Sequence, residues 1–134
     1  MAALSSGPQI HVVASQPADW DREKGLNAAQ NIMQAHPQIK AIFAANDEMA
    51  LGAVQAVHAA RKDHQIIIVG FDAIKDALAA IRKGDMDATV AQLPAEVGRL
   101  GVKYAVDAAN HKVIPANVPT DVKLVTADNA NSIQ

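Results

Sequence analysis

The 134-residue chain is long enough for one domain and too short for two ordinary ones. Half of its residues are hydrophobic, which excludes wholesale disorder. Twelve basic against 14 acidic residues leave a net charge of -2, too little positive charge for a nucleic-acid face. There is no cysteine, which excludes disulfides, thiol nucleophiles and thiolate metal sites, and suits an oxidising compartment.

The first β-rich run is Gln9-Ile10-His11-Val12-Val13-Ala14, and it reads as a strand. Trp20 to Ala35 reads as a helix with Leu26, Ala29 and Met33 on one face, capped by Asp19 or Asp21 and ended at His36 by Pro37. The apolar run Lys40 to Ala45 predicts a second strand, and Asp47 to Arg61 a second helix with Ala50, Ala53, Val54 and Val57 inward. Gln65 to Phe71 is the strongest strand signal in the chain. Ile74 to Lys83 follows as a helix closed by Gly84. Ala88 to Gln92 predicts a strand, and Pro94 suits the first turn of a helix running to about Asn110. Val122 to Thr126 is a last strand, and the polar tail Asp128 to Gln134 is expected to fray. The 28 alanines and only four aromatic residues (Trp20, Phe43, Phe71 and Tyr104) suit helices packed closely on a sheet.

This alternation predicts an α/β fold with a mainly parallel sheet flanked by helices on both faces. No apolar run approaches the roughly 18 residues that span a membrane. The N-terminus has neither the basic segment nor the apolar core of a signal peptide.

Ligands of such sheets bind beyond the carboxyl ends of the strands. Those positions carry Trp20, Asn46, Phe71 with Asp72, and Gln92. Amides donate and accept, a carboxylate accepts two hydroxyl bonds, and flat rings stack on the C–H faces of sugars. The set suits a small neutral polyol. The same residues also have ordinary structural readings: Asn46 as a helix cap and Phe71 as core. Other chemistries find no starting point. The five histidines show no metal-ligand spacing, and there is no nucleophile elbow, phosphate loop or dinucleotide fingerprint. Asp85 and Asp87 sit in a turn beside Gly84 and read as solvating it. No catalytic residue, metal or cofactor is expected, and the chain reads as a non-enzyme.

The runs Ala14-Ser15-Gln16-Pro17-Ala18-Asp19-Trp20-Asp21-Arg22, Phe43 to Gly52, Val69-Gly70-Phe71-Asp72 and Thr89 to Pro94 closely resemble the second half of periplasmic ribose-binding proteins. The resemblance covers about residues 10–126. Asn46-Asp47-Glu48-Met49-Ala50-Leu51-Gly52 is shared with the wider class of sugar-binding proteins and lactose-repressor-type regulators. Gln-Pro-Ala-Asp-aromatic together with Ala-Gln-Leu-Pro narrows it to ribose-like binders.

The resemblance implies a two-lobed protein that closes on a monosaccharide and delivers it to an ABC permease, and in some bacteria to a chemoreceptor. It implies that Trp20 stacks on the sugar, that Asn46, Asp72 and Gln92 bond its hydroxyls, and that Phe71 forms a second aromatic wall. Trp20 stands where ribose binders usually have Phe, which leaves the sugar open. It also implies that residues 1–134 form one α/β unit. Residues 10–93 and 122–127 would be C-terminal lobe, and 94–121 a crossover segment belonging to an N-terminal lobe. That lobe, and the first strand and helix of the C-terminal lobe, have no counterpart in this sequence. The chain is therefore expected to be a truncated binding protein with impaired binding, from a protein that is periplasmic at full length. The alternative is the effector-binding core of a lactose-repressor-type regulator. Unpaired strand edges and an uncovered Val97, Leu100, Tyr104 and Ala108 lead to the expectation of a homodimer.

Overall fold

In the computed structural model, which describes residues 10–133, regular structure begins at a side-chain cap. Asp21 accepts a hydrogen bond from the Lys24 amide (2.9 Å) and opens helix α1, Arg22–Ala35. Asn46 does the same for the Met49 amide (2.9 Å) and opens α2, Asp47–Ala59. Helix α3, Lys75–Lys83, ends at Gly84, whose φ of +80° is the left-handed conformation that glycine adopts without a Cβ penalty. Helix α4, Pro94–Ala109, starts on a proline whose missing N–H is not needed there.

Among the described residues four strands form one sheet in the order β1 (Ala41–Phe43), β2 (Ile67–Phe71), β3 (Ala88–Ala91), β4 (Lys123–Thr126). The first three are parallel, and β4 returns antiparallel beside β3. The α/β class and the mainly parallel sheet are as expected.

The layers are unequal. Strands β1, β2 and β3 add in one direction, so right-handed crossovers bring α2 and α3 to the same face. There Ile42, Ile68, Gly70, Thr89 and Val125 meet them, and α1 lies on α2. Ile68, Ile81, Met86 and Val125 are the largest fully buried apolar side chains of this core. Each such side chain contributes about 1.5–3 kcal/mol by leaving water. The opposite face carries Phe43, Ile67, Val69, Phe71, Val90 and Leu124 by strand alternation, and the first two and Leu124 are 50%, 53% and 57% exposed. Helix α4 has no buried residue at all.

Three expectations are corrected. Helices were expected on both faces of the sheet, but the one-directional strand order puts α2 and α3 on the same face and, among the described residues, leaves the other uncovered. Gln9 lies outside the described residues, and Ile10–Ala14 form no strand. Their β-rich pattern is local, whereas a strand exists only through a hydrogen-bonded neighbour; β1 stands at the sheet edge without them. The tail does not fray. Residues Ala130–Ser132 form a 3₁₀ turn, Ala130 is buried, and its carbonyl accepts from Arg82 Nη2 (2.8 Å). Gln134 lies outside the described residues.

The α1–α2 crossing explains the glycine at position 52. A Cβ there would lie 2.1 Å from the Arg22 carbonyl oxygen and 2.6 Å from the Leu26 nitrogen. A Cβ on Gly25, across the contact, would lie 2.7 Å from the Met49 Cα. These are backbone atoms, which cannot turn aside. Gly52→Ala is therefore expected to destabilise the protein by about 1–3 kcal/mol, although alanine alone favours helix by about 1 kcal/mol. Urea unfolding of the variant measures the sign.

Candidate functional site

The carboxyl ends of β1, β2 and β3 lie side by side, and each passes directly into a turn that carries a polar side chain. At β1 this residue is Asn46. Its Oδ1 is committed to capping α2, and its Nδ2 donates a long bond to the Trp20 carbonyl oxygen (3.4 Å). Both readings of Asn46 thus remain physically compatible: one end of the amide caps, the other faces the Trp20 turn. Trp20 itself is 66% exposed. It follows Asp19 in a turn where both residues have positive φ, +48° and +62°.

At β2 the residue is Asp72, and at β3 it is Gln92. The Gln92 Nε2 donates to Asp72 Oδ1 at 2.6 Å. Asp72 and Ala73 also take positive φ values, +119° and +60°. Of the seven non-glycine positive-φ residues among those described, four therefore stand in these two turns. Such conformations cost about 1–3 kcal/mol each and gather where a side chain must be aimed.

Phe71 takes a different place from its neighbour. It is half-buried and projects to the uncovered sheet face beside Val90. The expected residues thus fall into two contacting pairs, Trp20 with Asn46 and Asp72 with Gln92, with Phe71 around the strand end from them.

The link between the pairs was not singled out in the sequence. Asp47, the first residue of α2, is fully buried. Its Oδ1 accepts from the Thr89 hydroxyl (2.6 Å) and its Oδ2 from the Ile74 amide (2.9 Å). It lies against Gly70, where a Cβ would come within 2.2 Å of Oδ1. Burial pushes the Asp47 carboxyl above the usual carboxylate range, the donors pull it back in part, and the nearby Asp72 charge adds to the rise. The signal available was Thr89, a polar residue in a strand otherwise made of Ala and Val, which demands a buried partner. Arg22 was also missed. It bonds Glu48 (2.7 Å) and Asp76 (3.1 Å) and so joins the first turns of α1, α2 and α3.

The Asp85–Asp87 turn is structural. Asp87 Oδ2 accepts from the Ile68 amide (2.7 Å) and starts β2. His58, at the end of α2, lies between Asp63 and Asp85 at the far end of the strands. Among the described residues no group of three acidic or imidazole side chains is placed to hold a metal ion.

Losing the Asp47 carboxylate leaves the Thr89 hydroxyl and the Ile74 amide buried without a partner. Asp47→Ala should therefore cost about 1–3 kcal/mol in urea unfolding. The pH dependence has a definite sign. A raised folded-state value means that the unfolded chain releases this proton first. The contribution is full below the ordinary carboxylate value of 3.8 and declines as pH rises through the elevated folded value. Measured against Asp47→Asn, the stability difference should move in favour of the asparagine variant as pH rises from about 4 toward neutrality.

Comparison with known proteins gives consistent matches. Residues 1–112 match the model of the periplasmic binding protein domain. The D-allose-binding periplasmic protein of Escherichia coli is 49% identical over 124 residues, 92% of this chain and 40% of that protein. The ribose import binding protein of Salmonella typhimurium is 47% identical over 117 residues, 87% of this chain and 39% of that protein. The chain thus spans about two-fifths of the length of these curated relatives. Among solved structures, a periplasmic solute binding protein of an ABC transporter from Actinobacillus succinogenes with bound D-allose superposes with a TM-score of 0.84 at 36% identity. The match covers 98% of this chain and 47% of that one. The Caulobacter myo-inositol binding protein superposes with a TM-score of 0.82 at 35% identity, covering 98% and 46%.

Proposed function

Because the chain belongs to the periplasmic binding protein family, we propose that it is the sugar-contacting part of the solute-binding component of an ABC importer, with ribose or a similar monosaccharide as ligand. Relatives named for ribose, allose and myo-inositol support a monosaccharide-sized polyol. In pyranose form, D-ribose and D-allose share three neighbouring ring hydroxyls on one face; allose adds a hydroxymethyl group. A site that reads those three hydroxyls would take both and discriminate by what it does with the extra group.

The observation that carries the reading is the Asp72–Gln92 pair at adjacent strand ends. It leaves the second carboxylate oxygen and the amide oxygen as acceptors for sugar hydroxyls. Asn46 Nδ2 supplies a donor and Trp20 an indole face for the ring. Phe71 contributes an apolar wall at the strand end. Residues 94–121 form the segment that leaves this lobe for the other one, in keeping with a helix α4 that buries nothing here. At full length the protein would act in the periplasm and pass its sugar to a permease, with a chemoreceptor as a further partner.

One open rim touches a sugar from one side only, so the chain by itself is expected to bind weakly, near the millimolar range. Trp20 is the single tryptophan of the chain and sits in the rim, so its fluorescence reports the event directly. Titration with D-ribose and D-allose should give a saturable change that D-glucose does not match and that Asp72→Ala removes. No saturable response to either sugar, or an unaltered one in Asp72→Ala, would overturn the rim as the site. A submicromolar constant would show that one lobe suffices.

A further inference from the structure

The turn that carries Asp72 is held from beneath by two side chains that do not reach solvent. Asp72 and Ala73 have φ values of +119° and +60°, conformations that favour glycine, and neither is glycine. A turn of this kind persists only where its surroundings over-determine it. Here the chain leaves β2 with consecutive amides that each meet a fixed acceptor. The Asp72 amide donates to the Val90 carbonyl oxygen (2.9 Å), the Ala73 amide to Thr89 Oγ1 (3.4 Å) and the Ile74 amide to Asp47 Oδ2 (2.9 Å). Thr89 and Asp47 are both fully buried.

The Thr89 hydroxyl has a fixed sense. Its proton goes to Asp47 Oδ1 at 2.6 Å, so its lone pairs are left for the Ala73 amide. Thr89 stands in a strand of Ala and Val, and burying a carboxylate against it costs free energy. An apolar pair of similar volume would fill the same space. What the polar pair supplies, and an apolar pair would not, is an acceptor for each of two neighbouring amides in the strained turn. Helix α3 shows the same dependence. Ile74 precedes it without a side-chain cap of its own, and Asp47 of α2 takes the Ile74 amide.

We propose that Thr89 is a positioning residue for Asp72: its hydroxyl, oriented by Asp47, holds the left-handed Asp72–Ala73 turn and so aims the Asp72 carboxylate at the ligand. Asp72 is exposed, and the direction of its side chain follows from the backbone that carries it. The role in binding rests on the sugar reading; the hold on the turn does not.

Hydrogen exchange on the unaltered chain tests the hold first. The Ala73 and Ile74 amides should exchange as slowly as those inside β3, although they lie in a turn at the rim. Exchange at the rate of an open loop would overturn the proposal, with no variant having to fold. Thr89→Val then removes the hydroxyl at nearly constant size, and Thr89→Ser keeps it. In Thr89→Val the backbone chemical shifts of Asp72 and Ala73 should leave their positive-φ values while those of the four strands stay. Its affinity for D-ribose, read by Trp20 fluorescence, should fall several-fold. Thr89→Ser should match the unaltered chain in both respects. Adding Ala73→Gly to Thr89→Val should restore much of the affinity, because glycine takes positive φ without a Cβ penalty. That rescue separates aim from stability, since a glycine in the turn does not repair the core. A folded Thr89→Val protein with unchanged affinity, or one whose loss Ala73→Gly leaves as it was, would overturn the proposal. An unaltered chain without a saturable D-ribose response would strike the sugar reading alone; unmoved Asp72 and Ala73 shifts in Thr89→Val would strike this one.

Discussion

The buried carboxylate of Asp47 is the interaction on which the rest of the molecule turns. It stands at the start of α2 and holds the Thr89 hydroxyl of β3 and the amide that leads into α3. Three elements distant in sequence are thereby fixed to one atom group. Asn46 immediately precedes it, Asp72 lies two residues before Ile74, and Gln92 three after Thr89. The spacing of the polar side chains along the rim is therefore set by a group that does not itself reach solvent. Gly70 is required by the same geometry, since any side chain there would occupy the carboxylate's place. Burying a carboxylate costs free energy, as its raised proton affinity records, and the two donors offset part of that cost.

Small residues set the remaining dimensions. Ala29, Ala50, Ala53 and Ala56 let helices approach where Leu or Phe would hold them apart, and Gly25 and Gly52 bring α1 and α2 to backbone contact. Such packing places less apolar volume between layers than an aromatic core does. It depends more on fit, because rigid backbone rather than a mobile side chain meets any added atom.

What was legible in the sequence was local. The caps Asp21 and Asn46, the Gly84 terminus, Pro94 at the first turn of α4 and the Ile66–Val69 run all mark elements that appear within two residues of the expected positions. What was not legible depended on neighbours. Ile10–Val13 has strand character yet pairs with no strand, and the tail is held by Arg82, a residue about fifty positions earlier. The sheet's one-sided covering also follows from the order of strands, which no single segment encodes. At the rim, residue types were readable, and their pairing was not. Nothing in a one-dimensional pattern says that Gln92 closes on Asp72 while Phe71 turns to the other side of the sheet.

The Asp72–Gln92 bond has a further consequence, in entropy. A carboxylate and a long amide side chain left free would each sample several rotamers, and a ligand would have to arrest both. Here one hydrogen bond already joins the two side chains in the folded protein, so part of that ordering falls on folding stability. In the proposed sugar site an incoming hydroxyl would meet acceptors already joined, and more of its bonding free energy would be retained as affinity.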